Sequence, residues 1–264
     1  MASLEENRSF WQSYDWSRGG EEWSKGWGEG GSAFQWQACI YPRLRQFLPA
    51  ERIVEIGSGF GRFAHHLARS CQSLVGFDLV DKCVEACRER FADQPHLRFE
   101  LTDGRSLPSI ENGSVDFVFS FESLVLAEAD VCEAYLHEIA RVLRPGGGAF
   151  LHHSNLGEYD FYFTLTGLVP EPTRVRLNRL GLIDLSQWRA PTVTAAKFRA
   201  MAEAAELVCT SQELVNWGAK RLIDCFTTLV TKGSPLARPT RIVRNAGFMD
   251  EVGYLARLGE FYQK

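Results

Sequence analysis

Two periodicities of apolar residues alternate along the first half of the chain. Short apolar runs rich in β-branched residues predict strands at 52–56, 73–77, 97–101, 115–120 and 148–153. Apolar residues spaced three or four apart predict helices between them, at 61–70, 81–92 and 130–143. This alternation is typical of a parallel sheet with helices on both faces, which binds ligands beyond the carboxyl ends of its strands.

The second half departs from that alternation. Residues 155–193 form a long connection rich in aromatic residues, with basic residues that include Arg174, Arg176 and Arg179. A helix beginning after Thr194, strands near 207–215 and 223–231, and a final helix near 248–262 then follow. We expect one domain over residues 1–264, with a cofactor-binding core at 52–155, an insertion at 155–193 that covers the site, and closing strands and a tail at 194–264.

The turn after the first strand is the most informative feature. Gly57, Gly59 and Gly61 follow Ile56 at alternate positions, so the backbone can reach positive φ and a ligand can approach the peptide groups. Asp78 ends the second strand, where a carboxylate accepts hydrogen bonds from ribose hydroxyls.

Two residues distinguish this turn from a dinucleotide site. A dinucleotide turn requires a small residue at the position of Arg62, to allow close packing of helix and strand. Glu55, two residues before the first glycine, repels a pyrophosphate and favours a ligand with a cationic amino-acid tail. A nicotinamide oxidoreductase remains an alternative that a ligand titration separates.

Several motifs in the right order resemble class I S-adenosylmethionine-dependent methyltransferases over about residues 52–155. They are the glycine turn, Gly76-Phe77-Asp78-Leu79, Leu101-Thr102-Asp103-Gly104, the strand 115–120, and the helix and turn over 138–148. The resemblance implies a Rossmann-like seven-stranded sheet, parallel with an antiparallel closing strand. It also implies S-adenosylmethionine as cofactor. The residues expected to contact it are Glu55, Gly57, Gly59, Gly61, Asp78, Leu79, Asp103, Gly104, Ser120 and Phe121.

The chemistry of methyl transfer directs attention to the ends of the fourth and fifth strands. The resemblance places His153 opposite the methyl group, where a histidine is a candidate general base at neutral pH. Glu122 is expected to orient His153 or to hold a substrate hydroxyl. Because neighbouring strand residues point to opposite faces, His152 and His153 do not converge on one metal ion, and no metal site is expected.

Residues 1–36 contain five of the seven tryptophans, and Leu4–Tyr14 is compatible with a short helix. One interpretation is a terminal segment held by aromatic burial. The other is a lid over cofactor and acceptor, since aromatic faces attract a sulfonium; Tyr14 and Trp16 are the lid residues of that interpretation.

The acceptor is less well defined. Short segments ending the fourth and fifth strands resemble methyltransferases of polysaccharide pathways, which implies O-methylation of a small polar acceptor such as a sugar or sugar phosphate. Alternatives are N-methylation of a natural product and a protein that binds S-adenosylmethionine without catalysis. The arginines of the insertion and tail are either solvated charges or contacts for an anionic acceptor.

The composition of the chain limits the partners and the cellular location that we expect. A net charge of −4 and a pI near 5.9 give no basic surface of the kind that nucleic acid requires. Seven scattered cysteines favour a reducing, cytoplasmic location. No run of 18 apolar residues occurs, so no membrane partner is expected. Oligomeric state stays open.

Overall fold

A computed structural model describes residues 3–28 and 30–262. Eight strands form a single sheet: β1 Ala50–Ile56, β2 Cys71–Asp78, β3 Leu97–Leu101, β4 Val115–Ser120, β5 Leu143–Ser154, β6 Leu207–Val215, β7 Asp224–Thr231 and β8 Arg241–Asn245. The helices are α1 Leu4–Ser13, α2 Gly31–Gln35, α3 Tyr41–Leu44, α4 Ala64–Leu67, α5 Asp81–Arg90, α6 Ala129–Val142, α7 Asp160–Gly167, α8 Glu171–Arg179, α9 Ala195–Ala204 and α10 Phe248–Tyr262.

The strand order β3-β2-β1-β4-β5-β7-β6-β8 places β1 near the middle of the sheet. From β1 the chain winds outward through β2 and β3, then returns to add β4 and β5 on the other side, all parallel. The winding direction therefore reverses between β1 and β4, and their carboxyl ends form the crevice in which ligands of such sheets bind.

The far side of the sheet confirms the predicted antiparallel closure. β7 runs antiparallel to both β5 and β6. The eighth strand was not expected from the sequence: β8 comes from the arginine-containing tail and pairs in parallel with β6, Ser211 opposite Arg241. The predicted fold class is confirmed, with one more strand than the seven anticipated.

Apolar residues cover both faces of the sheet. Adjacent residues of β1 separate onto the two faces: Val54 packs in the layer beneath α6 and α9, whereas Ile53 packs with α4, α5 and the N-terminal helices. β4 is buried along its whole length. Burial on both faces explains why the central strands are continuous apolar runs instead of alternating ones.

Local signals fixed some helix ends and missed others. Thr194 caps α9 as predicted, its side chain accepting a hydrogen bond from the Lys197 N–H at 3.0 Å. Asp81 and Asp130 are residue types that favour N-caps, but they do not cap α5 and α6, because both already lie in the first turns of those helices. The insertion, predicted only as a connection, contains α7 and α8.

Candidate cofactor and acceptor site

A cavity of about 490 Å³ opens at the carboxyl ends of β1, β2 and β4. It is lined by residues that the sequence assigned to the cofactor: Glu55, Gly57, Gly59, Asp78, Leu79 and Gly104. Five tryptophans also line it: Trp11, Trp16, Trp23, Trp188 and Trp217. Trp16 lies over the glycine turn, against Phe60. We call the part lined by Glu122, Trp188 and Trp217 the candidate acceptor end.

Packing against neighbouring side chains, as well as the approach of a ligand, requires glycine in this turn. Gly57, Gly59 and Gly61 all have positive φ. A side chain at Gly57 would overlap Ser123, and one at Gly61 would overlap Phe91, so close packing excludes larger residues at both. Gly61 therefore supports the turn from behind, whereas Gly57 and Gly59 line the cavity.

Glu55 lines the cavity with an incomplete set of hydrogen bonds. Its side chain is buried, and no described residue donates a hydrogen bond to Oε2. Burial, together with the negative charge of Asp78, raises the pKa of Glu55 to about 8. A buried carboxylate is stable as a charge only when a partner compensates it. The ammonium of a methionine-like ligand would supply that partner.

Asp78 is held by the backbone of its own end of the sheet. Its Oδ2 accepts the Gly59 N–H at 2.8 Å, and its Oδ1 accepts the Val80 N–H at 3.0 Å. Burial outweighs these bonds and raises the pKa of Asp78 to about 6. The carboxylate is thereby fixed at the cavity, where it is placed to accept hydrogen bonds from ribose hydroxyls. These residues fit S-adenosylmethionine.

The adenine end of the cavity requires a correction. Thr102 and Gly104 line it, but Asp103 does not. The Asp103 carboxylate is exposed and accepts hydrogen bonds from the N–H groups of Arg105 and Ser106, both at 2.8 Å. It closes its own turn, which orients Gly104 towards the cavity. The predicted turn therefore lies at the cavity, but the Asp103 side chain does not line it.

Of the two cofactor contacts expected at the end of β4, Ser120 and Phe121, only Phe121 lies in the cavity wall. Phe121 lines the cavity. Ser120 is fully buried and donates a hydrogen bond to the Ile56 carbonyl at 2.9 Å, which ties β4 to β1. Ser120 thus holds the two strand ends together, and the structure does not place it in the cavity wall.

Glu122 lies in the cavity wall with an unusual backbone. Its φ of 61° falls in the left-handed region, which residues other than glycine rarely adopt. Its carboxylate forms an ion pair with Arg62, and Arg62 in turn donates to the Ser24 hydroxyl at 2.9 Å. Backbone strain of this kind persists only where surrounding contacts impose it, and it concentrates at functional sites.

His153 is not at the cavity, so the general base predicted there is wrong. Its ring is fully buried, stacked 3.6 Å from the ring centroid of Phe198 on α9. Nε2 lies 2.7 Å from the Thr227 hydroxyl, and Nδ1 lies 2.8 Å from the Ser154 carbonyl. Burial lowers the pKa of His153 to about 3, so the ring is neutral at physiological pH. The residue belongs to the core beneath α9.

Its neighbour His152 points to the opposite face, towards the acceptor end. His152 Nδ1 accepts the Glu122 N–H at 3.3 Å, and Nε2 lies 3.1 Å from the Asp224 carboxylate. Asp224 also accepts two hydrogen bonds from Arg189, at 2.8 and 3.0 Å. Burial raises the pKa of Asp224, but Arg189 and His152 outweigh it and hold that pKa below its usual range. The carboxylate is therefore ionised.

The N-terminal segment covers the cavity. Trp16 lines it and stacks on Phe60, with centroids 4.7 Å apart and planes 9° apart. Tyr14, the other predicted lid residue, stands behind the wall and stacks on Trp23 at 5.7 Å. The segment thus roofs the glycine turn directly, with Trp11 and Trp23 completing the aromatic wall.

Sequence reasoning missed several residues of the acceptor end. Arg62 was noticed only because it breaks a dinucleotide pattern. Arg189 and Trp188 lie in the insertion and Trp217 in the β6–β7 connection, where no local pattern marks them. Only tertiary folding brings these segments over β4.

Other features of the molecule do not add to this site. Over residues 3–28 and 30–262, no three His, Cys, Asp or Glu side chains are grouped so as to hold a metal ion. A second cavity, of about 570 Å³, lies at the amino ends of β1 and β2 and contains none of the predicted site residues. Across the same residues, no helix has the length and apolar character to cross a membrane.

Comparison with known proteins agrees with this geometry. Residues 53–147 match a family described as a methyltransferase domain. A solved S-adenosylmethionine-dependent methyltransferase from Methanosarcina mazei superposes with a TM-score of 0.53 at 18% identity, covering 72% of this chain and 96% of that one. Residues 53–147 therefore form a methyltransferase domain, in a chain that has the fold of class I S-adenosylmethionine-dependent methyltransferases, and S-adenosylmethionine is the cofactor of that domain.

Curated relatives differ in their acceptors. A phosphoethanolamine N-methyltransferase of Triticum aestivum is 30% identical over 118 residues, which are 43% of this chain and 24% of that protein. A fatty-acid O-methyltransferase of Mycolicibacterium smegmatis is 28% identical over 191 residues, 70% of this chain and 56% of that protein. The chain thus spans from about a quarter to just over half the length of these relatives.

Proposed function

We propose that the chain is an enzyme that transfers a methyl group from S-adenosylmethionine to a small acceptor bound in the same tryptophan-lined cavity. The observation that carries the proposal is the buried Oε2 of Glu55, which lacks a hydrogen-bond partner among the described residues beside the glycine turn. With Asp78 on the next strand, it defines a site for a ligand with an ammonium at one end and a ribose in the middle.

The bound cofactor supplies a methyl carbon activated by its positive sulfur. An acceptor lone pair would form the new bond to that carbon, and the electron pair of the broken carbon–sulfur bond would stay on sulfur. The protein positions the reactants and excludes water. The glycine turn and Asp78 hold the cofactor, and Trp16 and Trp23 cover the cavity and keep water out.

The finer proposal is O-methylation of a small polar acceptor, such as a sugar or sugar phosphate. With His153 buried elsewhere, Glu122 is the carboxylate in the acceptor wall, and a hydroxyl acceptor would pass its proton towards it. Tryptophan rings cover the apolar face of a ring-shaped acceptor by burying its surface. The similarity to a fatty-acid O-methyltransferase supports oxygen as the acceptor atom. It does not support a sugar as the acceptor molecule.

One observation favours N-methylation as a second candidate. Five tryptophans line the cavity, and aromatic faces attract cations by about 0.5–2 kcal/mol. An amine acceptor, or its methylated cationic product, would bind there, and a relative named for N-methylation of phosphoethanolamine is consistent with it.

Transfer of labelled methyl from S-adenosylmethionine tests the proposal. The purified chain is incubated with fractionated small molecules, and labelled products are identified by mass. Labelled ethers or esters support oxygen as acceptor, and labelled amines support nitrogen. Binding of S-adenosylhomocysteine without transfer to any fraction, at any pH from 6 to 9, would instead indicate a protein that binds the cofactor without catalysis.

A further inference from the structure

The two helices of the insertion, α7 and α8, present apolar side chains to solvent instead of to the core. Neither α7 nor α8 buries any of its residues. Phe161, Leu165 and Leu168 are spaced four and three apart and so share one helix face. They are 77%, 48% and 77% exposed. A helix normally turns such a stripe towards the core.

Two more leucines extend this stripe into a patch. Leu180 and Leu182 follow α8 and are 64% and 68% exposed. The Asp184 N–H donates a hydrogen bond to the Tyr162 hydroxyl at 2.9 Å, which brings the beginning of α7 beside the segment after α8. Five residues therefore form what we call the rim patch: Phe161, Leu165, Leu168, Leu180 and Leu182.

Positive charge accompanies the rim patch. Arg176 and Arg179 lie one turn apart on α8, both exposed, and neither forms an ion pair with any described residue. Lys220 is exposed too, and its ammonium binds the neutral Gly181 carbonyl. The acids of the two helices lie in their first turns, where they offset the helix dipoles. In a chain of net charge −4, the last turn of α8 and Lys220 form a local cluster of cations.

The rim patch adjoins the mouth of the cavity. Leu182 is five residues from Gln187 and Lys220 is two from Gly218, and both Gln187 and Gly218 line the cavity. The Gln187 amide donates to the Gly218 carbonyl at 3.3 Å, which joins the two segments there. Five residues of extended chain reach at most about 18 Å. A surface that covers the rim patch would therefore face the entrance for acceptors.

We propose that the rim patch docks on a lipid surface with anionic head groups and turns the cavity mouth towards it. Exposed leucines and a phenylalanine with flanking arginines are the composition that interfacial helices use, apolar residues entering the acyl boundary while cations meet phosphates. No spanning helix is needed for such contact. Taken with the proposed function, docking makes the acceptor an amphiphile whose polar head enters the cavity.

Sedimentation of the full chain with vesicles tests the docking. Vesicles of phosphatidylcholine are compared with vesicles of phosphatidylcholine and phosphatidylglycerol in equal parts. We expect binding to the anionic vesicles that weakens as salt is added. Each surface cation contributes about a fivefold change in partitioning, so Arg176→Gln with Arg179→Gln should weaken binding about thirtyfold. Leu180→Ser with Leu182→Ser should weaken it by a similar factor or more.

Matched controls lie on β8, at the far edge of the sheet. Arg241→Gln with Arg244→Gln removes two exposed arginines, and Ile242→Ser removes an apolar side chain that is 53% exposed. These variants should bind vesicles as the parent does. Thermal unfolding and S-adenosylhomocysteine binding should be unchanged in every variant, which shows that the fold is intact.

Three outcomes would overturn the docking proposal. They are absence of vesicle binding at low salt, equal binding to neutral and anionic vesicles, and equal loss in the β8 controls. A monomer–dimer equilibrium abolished by the rim-patch substitutions, without vesicle binding, would assign the patch to a second copy of the chain instead. Because these readouts require no turnover, their failure leaves the proposed methyl transfer standing.

Discussion

Trp16 stacks on Phe60 with ring centroids 4.7 Å apart and planes 9° apart, so the N-terminal roof rests directly on the cofactor turn. Phe60 lies between Gly59 and Gly61, and both rings line the cavity. Cofactor exchange through this side must separate the two rings. The stack therefore links residence of the cofactor to the position of the roof.

Replacing Trp16 should shorten that residence. An aromatic pair contributes about 0.5–1.5 kcal/mol beyond area burial, so Trp16→Ala should raise the dissociation rate of S-adenosylhomocysteine about threefold to tenfold. Stopped-flow displacement measures the rate. Trp16→Phe keeps a ring and serves as the control, with a rate close to the parent. An unchanged rate in Trp16→Ala would show that the roof does not retain the cofactor.

Cofactor binding should release a proton near neutral pH. Glu55, with a pKa of about 8, is protonated in the free protein at pH 7, and pairing with the ligand ammonium requires its ionised form. Affinity should therefore rise with pH from about 6 to 8, and then level off. Calorimetry in buffers of different ionisation enthalpy counts the proton. Glu55→Gln should bind more weakly and release less. Equal release by both proteins would exclude Glu55 as the ammonium partner.

The same residue should limit the stability of the free protein. The pKa of Glu55 is raised in the folded state from its ordinary value of 4.5, so the folded chain holds the proton more tightly than the unfolded chain. This contribution is complete below about pH 4.5 and is lost as pH rises through about 8.

At pH 9, the free energy of unfolding of Glu55→Gln should therefore exceed that of the parent by an amount on the order of a few kcal/mol. This difference should shrink towards pH 5. Denaturant titrations at both pH values measure it. A parent that is the more stable protein at pH 9 would contradict the burial of an uncompensated carboxylate.

His153 should matter for stability and not for chemistry. His153→Ala leaves a cavity beside Phe198 and removes the partner of the Thr227 hydroxyl, which should cost about 2–4 kcal/mol of unfolding free energy. Turnover below the unfolding temperature should stay within a few-fold of the parent. The folded-state pKa of about 3 also means that stability from this residue is present above pH 6.5 and lost on acidification.

A loss of about a hundredfold in kcat at full folding, with binding of S-adenosylhomocysteine intact, would instead restore His153 as a general base. Circular dichroism monitors folding in the same samples. Thr227→Val, which removes the hydroxyl partner on the same buried face, is the matched structural control and should resemble His153→Ala in sign.

The sequence was sufficient for what local pattern encodes. Strand and helix alternation predicted the sheet, and Glu55, the glycine turn and Asp78 lie within 24 residues, so one supersecondary unit places them together. β8 was missed because its exposed residues lack the alternation of a half-buried strand. An edge strand can pair with its single neighbour through backbone hydrogen bonds alone. The pattern of apolar and polar side chains does not predict such pairing.

The acceptor end depended on information that no single segment contains. Because side chains alternate between the two faces of a strand, the sequence establishes that His152 and His153 point to opposite faces of β5. It does not establish which of these faces lies towards the cavity. That choice is made by α9, whose Phe198 packs on His153, and by Asp224 and Arg189, which meet His152 from distant parts of the chain.

Calorimetric titration with S-adenosylhomocysteine, for the parent and for Asp78→Asn, tests the central claim most directly. We predict one binding event per chain for the parent, a loss of at least tenfold in affinity for Asp78→Asn, and no binding of NADH by either protein. Absence of heat with both S-adenosylmethionine and S-adenosylhomocysteine, or equal affinity in the two proteins, would contradict it.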